Sequence, residues 1–292
     1  MKDRVLPKRK FQVSNGYLLE FEQLARVLSY LTTRNQAKKV SRNELKENTG
    51  LSNRQLESLI SVGSAMGLIN VGRQTLTTIG FLVAKHDVFM ESRGSLEWCH
   101  YIGAGSRKNL IWYDIFNVLL LKEQPFTQEG LTQALRNIYS AKYTARTIGK
   151  HLHEEVRFVI DAYVNRNFKK LGLLHQATDG TLYRRRSGDI NRRVFSAVLY
   201  DYAQRQAANL LQVKDLLDKE GSPVAIFAID EAVFKNIIEE LHHDGLIRYE
   251  GTHDLDQIRL TEGFQAMDFL IAYYEDKNPL PGSRQENKEQ LL

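Results

Sequence analysis

Asp87, Glu91, Glu97 and His100 fall in one short stretch. They supply the side chains that phosphodiester cleavage needs, a carboxylate or imidazole to place a divalent ion or activate water. On that reading Asp87, Glu91 and His100 are the catalytic group of a metal-dependent DNA-nicking enzyme, with Mg²⁺ or Mn²⁺ as cofactor. The stretch has a second reading, in which Leu96, Trp98 and Tyr101 pack a connecting element and His100 is a hydrogen-bonded core residue. His151 and Glu155 stand i, i+4 apart, share a helix face and suit a divalent ion, whereas His151 and His153 diverge. No third ligand is identifiable beside that pair, so the metal ligands stay unassigned. The sequence has no phosphate-binding Gly-rich loop ending in Gly-Lys-Ser/Thr, no Gly-x-Ser-x-Gly elbow and no His-Glu-x-x-His. Cys99 is the only cysteine, which excludes an internal disulfide and a cysteine-based zinc site. It reads as a small buried hydrophobe.

A second set of residues suits nucleic acid. Asn53, Arg54, Glu57, Ser58 and Ser61 lie at the start of one helix, where Asn and Arg can bond base edges and Ser can bond phosphate. Arg73 falls in a tight turn, placed either for a minor groove or for solvent. Arg184-Arg185-Arg186, followed by Arg192 and Arg193, is the densest cation cluster. Strand alternation puts Arg184 and Arg186 on one face and Tyr183 with Arg185 on the other. Arg184, Arg186, Arg192 and Arg193 read as a phosphate clamp or, equally, as partners of carboxylates such as Asp189 or Glu155.

The elements that must hold these groups can be read from capping and periodicity. Ser41-Arg-Asn-Glu44 and Ser52-Asn-Arg-Gln55 are capping boxes, each opening a helix. Leu56, Leu59, Ile60 and Met66 recur at helical spacing, and Gly67 closes the second helix. Leu68 to Val71, the turn Gly72-Arg73-Gln74 and Thr75 to Thr77 then form a hairpin. The order returns twice. Helices are expected over Ile111–Leu121, Phe126–Tyr139 and Thr144–Val164, with a hairpin turning at Asp179-Gly180. Val194–Leu210 and Ile229–His243 open the third copy, with Asp230 as N-cap and a return strand from Asp256 to Thr261. The expected fold is mainly α with short β-hairpin wings, in tandem winged helix-turn-helix-like units. The expected domains are 1–85 with an N-terminal arm, 86–190 with a connector, 191–276, and a flexible tail, 277–292.

The chain has 292 residues, of which 42% are hydrophobic, and a net charge of +5. That charge is unevenly spread. Residues 1–85 hold 14 cations against 6 acids and residues 140–195 hold 12 against 5, while residues 196–292 hold 9 against 18. Basic blocks attract phosphate through counterion release. Pro7-Lys8-Arg9-Lys10 reads either as a solvated tail or as an arm on DNA. No apolar run reaches the roughly 18 residues of a membrane span, and the N-terminal residues lack a secretory core. A cytoplasmic chain without a membrane contact is expected.

The stretch from Asp87-Val-Phe-Met-Glu91 through Leu96-Glu-Trp98-Cys-His100-Tyr101, followed by Asn109-x-x-Trp112-Tyr113-x-x-Phe116-Asn117, resembles the SspB-like component of bacterial DNA phosphorothioation systems. Phe11, Gly16-Tyr17-Leu18, Glu155-x-x-Phe158, Ala162-Tyr163, Gly221-Ser222-Pro223, Phe227 and Asp230-Glu231 carry the resemblance further, over about residues 11–262. It implies a DNA-binding component that nicks one strand so that sulfur can replace a non-bridging phosphate oxygen, marking host DNA for an antiphage defence system. It also implies a cysteine desulfurase, an ATPase and an ATP-pyrophosphatase-like sulfurtransferase as partners. The competing reading is a non-catalytic winged-helix regulator or assembly adaptor of a defence operon.

Overall fold

Ser52 accepts from the Gln55 N–H, and the Gln55 side chain reaches back to the Ser52 N–H at 2.9 Å, so a capping box sets the start of one helix. Ser41 likewise accepts from Glu44 N–H. The Glu44 side chain takes a bond from the Tyr30 hydroxyl at 2.8 Å and pairs with Arg34 at 2.7 Å. The computed structural model describes residues 10–122, 125–186, 188–252 and 255–276. The Pro7–Arg9 part of the expected arm and the expected tail, 277–292, lie outside the described residues.

The first module contains α1 (Phe21–Thr32), α2 (Arg42–Thr49), α3 (Asn53–Ala65), β1 (Ile69–Asn70), β2 (Thr75–Leu76) and α4 (Thr78–His86). Val40, between α1 and α2, donates to Arg73 O at 3.0 Å and so ties that segment to the turn of the β1–β2 hairpin. Gly80 lets α4 start against that hairpin, since a Cβ there would sit 2.0 Å from Leu68 O.

The second module follows a connector, α5 (Arg93–Gly105). It comprises α6 (Leu110–Asp114), a π-helical turn over Ile115–Leu119, α7 (Gln128–Tyr139), α8 (Ala145–Val164), β3 (Leu174–Gln176) and β4 (Leu182–Arg184). Phe126 pairs antiparallel with Leu182 of β4. The expected single helix over Ile111–Leu121 is thus broken into α6, the π turn and a short 3₁₀ turn. α8 is amphipathic, with Ile148, Leu152, Val156, Val159 and Tyr163 buried on one side.

The third module runs α9 (Arg192–Gln206), β5 (Leu210–Gln212), α10 (Val213–Asp218), α11 (Pro223–Phe227), α12 (Glu231–His243), β6 (Ile247–Gly251), β7 (Asp256–Leu260) and α13 (Ala266–Glu275). Its sheet has the order β5-β7-β6, all antiparallel. The Tyr200 hydroxyl donates to Leu246 O at 2.7 Å and accepts from Thr261 N at 3.1 Å, and burial pushes its pKa up to about 12.

The chain divides into two compact units between Arg185 and Arg186. The expected boundary at 85/86 lies inside the first unit. The connector explains this. Trp98, Cys99, His100 and Tyr101 on α5 are buried, and the His100 ring packs edge-on against Phe116 and Tyr163. Tyr163 stacks on Phe168 at 4.8 Å, and its hydroxyl accepts from Trp112 Nε1 at 3.0 Å. Gly103 leaves room for this cluster, since a Cβ would meet the Trp112 ring at 2.8 Å. Among the described residues, no helix is long and apolar enough to cross a membrane.

Candidate nucleic-acid interface

Residues 10–16 form a strap across α3. Ser58 donates to Ser14 O at 2.6 Å, Ser61 to Val13 O at 2.5 Å, and Lys10 Nζ to the Ser61 hydroxyl at 2.5 Å. The far side of the strap is fixed by Glu155 of α8. Its carboxylate accepts from Val13 N at 3.0 Å, Ser14 N at 3.1 Å and the Ser14 hydroxyl at 2.8 Å. Burial raises the Glu155 pKa, and these bonds oppose the rise. Burial also lowers the Lys10 pKa, against the attraction of Glu155 and Glu57.

The consequence for the expected reading helix is specific. Asn53, Arg54 and Glu57, at the start of α3, are exposed, whereas Ser58 and Ser61 are buried under the strap with their hydroxyls engaged. Ser58 therefore does not face solvent, the reason being a segment more than 40 residues upstream that helix periodicity does not register. Arg73 is exposed at the first hairpin, where its carbonyl's bond to Val40 brings it beside exposed Lys38 and Lys39.

In the second module the corresponding helix is open. Arg146, Lys150, His153 and Arg157 are exposed and recur four, three and four residues apart, which lines them along one face of α8. Of these, Arg157 pairs with Glu154 at 2.7 Å in solvent, a contact worth little. Thr144 caps the helix by accepting from Thr147 N at 3.2 Å. This stripe was not singled out from the sequence, although its spacing is the signal that identifies it. The nearby His151 and Glu155 do not converge on a shared ligand: His151 Nδ1 bonds Gln12 Nε2 at 2.6 Å while Glu155 holds the strap.

The arginine run is split by its partners. Arg184 Nη1 donates to Phe116 O at 3.0 Å, in the π-helical turn. Arg186 bonds Asp230, Arg192 pairs with Glu240 at 3.1 Å, and Arg193 donates to Ala272 O at 2.8 Å and to Asp276 at 3.3 Å. Asp230, expected as a helix cap, occupies the cap position of α12 without a side-chain cap bond. Three of the four clamp residues thus have carboxylate partners, in the second unit, and the fourth is held by a carbonyl.

The expected catalytic residues are also dispersed by their contacts. Asp87 accepts from Glu91 N at 2.9 Å and Ser92 N at 3.0 Å, closing the turn between α4 and α5. Glu91 is exposed, and its carbonyl accepts from Lys170 Nζ at 3.0 Å. His100 is fully buried, with Nδ1 2.5 Å from the Tyr163 hydroxyl. Among the described residues, no three His, Cys, Asp or Glu side chains are grouped so as to hold a metal ion. Cys99 is buried and its thiol pKa is driven far up by that burial, so it is poorly placed to act as a nucleophile.

A family model described as "Protein of unknown function (DUF4007)" matches residues 63–274. Two solved structures share the fold, one described as an SspB crystal structure and one as magnesium ion-bound SspB. Each superposes with a TM-score of 0.73 at 16% identity, covering 93% of this chain and 89% of the other. No curated protein matches the chain.

Proposed function

The chain belongs to the DUF4007 family, and on that footing, with the fold of SspB, we propose that it is a DNA-binding component of phosphorothioate modification that holds duplex DNA through α8. The observation that carries the reading is the open stripe of α8, in which the cations Arg146, Lys150 and Arg157 are exposed with His153 among them. Helix, strand, two helices and a hairpin is the order of a winged helix-turn-helix, whose third helix enters the major groove. In the second module that helix is α8 and the hairpin is β3–β4. The positive end of the helix dipole at Thr144 adds to the field that the stripe presents to phosphate. Arg73 in the turn of the first hairpin, with Lys38 and Lys39 in the segment that Val40 ties to it, would extend the contact along the backbone, and Asn53 and Arg54 are exposed in the same module.

The geometry supports binding and positioning rather than strand cleavage by this chain alone. Asp87 is engaged in its turn and His100 is sealed in an aromatic core. Sulfur chemistry then falls to partners: a cysteine desulfurase, an ATPase and an ATP-pyrophosphatase-like sulfurtransferase. A second reading, as an assembly adaptor, is favoured by exposed Glu239 and Asp244 of the third module, with Glu231 and Glu240 exposed beside their ion-pair partners Lys235 and Arg192, which suit a basic partner protein.

The test is fluorescence anisotropy on a labelled duplex across a salt series, run beside a supercoiled-plasmid assay in Mg²⁺ and in Mn²⁺. Salt-dependent duplex binding with the plasmid left supercoiled is expected. Absence of duplex binding would turn the assignment to the adaptor. Metal-dependent conversion to open circle, lost in an Asp87→Ala/Glu91→Ala variant, would overturn the positioning role in favour of a nickase.

A further inference from the structure

We propose that the β3–β4 hairpin carries a stacking platform for an unpaired nucleobase, made of Tyr183 with His175 beside it. This deepens the DNA-binding reading and rests on it. Tyr183 is 42% exposed although it lies between Leu182, which is fully buried, and the half-buried Arg184, whose guanidinium bonds Phe116 O. His175 is paired directly opposite Tyr183 in the antiparallel register, so the two rings leave the same face of the hairpin. His175 is also exposed. Among the described residues, neither side chain has a hydrogen-bond or ring partner. Alternation places Arg185 on that face as well, and it is exposed.

The platform is held stiffly from behind. Leu182 N–H donates to Phe126 O at 2.6 Å, Phe126 N–H donates back at 3.0 Å, and Arg184 ties the strand to Phe116 O. At the tip, Asp179 Oδ1 accepts from Thr181 N at 2.9 Å, fixing the turn. An aromatic face flanked by a second ring and a cation is the arrangement on which bases of single-stranded DNA stack, with the cation on the adjoining phosphate. Intact duplex hides its base faces, so the ligand class is DNA with at least one unstacked nucleotide, as at a gap, a nick or a single strand.

The experiment measures binding of the full chain to an intact duplex and to the same duplex carrying a short gap of unpaired thymidines with one 2-aminopurine. Tyr183→Ala is expected to weaken gapped-duplex binding about tenfold and intact-duplex binding less than about twofold. Tyr183→Phe should retain the preference, His175→Ala should reduce it in part, and 2-aminopurine fluorescence should be quenched by the unsubstituted chain but not by Tyr183→Ala. Unchanged gapped binding in Tyr183→Ala would overturn the platform while leaving duplex binding standing. Equal losses on both substrates would also overturn it, making Tyr183 a duplex contact. Failure of the unsubstituted chain to bind either substrate would mark failure of the DNA reading itself. Circular dichroism of each variant separates these outcomes from unfolding, which an exposed ring should not cause.

Discussion

Helices α8 and α12 each stand before an antiparallel hairpin, β3–β4 and β6–β7, yet they offer solvent opposite charge. α8 shows Arg146, Lys150, His153 and Arg157; α12 shows Glu231, Glu239 and Glu240, with Asp244 just past its end. α3, the third helix of that kind, is covered over much of its length by residues 10–16. A helix placed before a hairpin is therefore open and basic in one case, open and acidic in another, and in the third covered at Ser58 and Ser61. The backbone pattern says where a reading helix would be, and the side chains and their neighbours say whether it can read.

The largest effect should come from removing the feature that sets α8 apart. Arg146→Ala/Lys150→Ala/Arg157→Ala should weaken duplex binding by about one to two orders of magnitude at moderate salt. It should also make the log-affinity against log-salt slope shallower by about 2–3, as read by anisotropy over a salt series. An unchanged slope would remove the distinction between α8 and α12.

Next in size is the latch that makes α3 the buried member. Glu155→Ala leaves the buried N–H groups of Val13 and Ser14 without their acceptor and should cost about 1–3 kcal/mol in denaturant unfolding. Its pH dependence has a definite sign. The folded-state pKa of Glu155 is raised, so the native state keeps the proton after the unfolded chain has lost it, and this group's contribution to stability declines as pH rises from the ordinary carboxylate range through the folded value. Glu155→Gln should flatten that part of the stability-against-pH curve; a steeper decline in the variant would contradict the latch.

Smaller again is the first hairpin. Lys39→Ala/Arg73→Ala should weaken duplex binding about three- to tenfold and reduce the salt slope by about 1–2, with little dependence on sequence. The smallest expected effect is on α12. Glu239→Ala/Asp244→Ala should shift duplex affinity by less than about twofold, measured in the same salt series. A larger change would bring the acidic helix into the DNA contact and collapse the comparison.

Local chemistry made much of the fold readable. Ser52 and Gln55 cap α3 as their spacing implies, the Asp179-Gly180 turn closes β3–β4, and the long third helix of the second module runs from Ala145 to Val164. These features depend on residues a few positions apart. The π turn that interrupts the expected Ile111–Leu121 helix carries instead a distant contact, Arg184 on Phe116 O, which local spacing does not register. The site was less legible for the same reason. The strap over Ser58, the carboxylates facing Arg186, Arg192 and Arg193, and the burial of His100 beside Tyr163 are made by partners from 44 to 83 residues away. The α8 stripe is a local signal, four cationic or imidazole side chains spaced four, three and four residues apart, and so lies within reach of periodicity.

The anchor on Glu155 also sets an order in time. Val13 and Ser14 find their acceptor 142 and 141 residues later in the chain. At a synthesis rate of about 5–20 residues per second, roughly 7–30 s pass between making the strap and making its anchor. Through that interval a nascent first module has a strap with nothing to latch it, and the α3 face beneath it stays accessible to chaperones or to other chains. The first module to be translated is thus completed only when the second has supplied its longest helix.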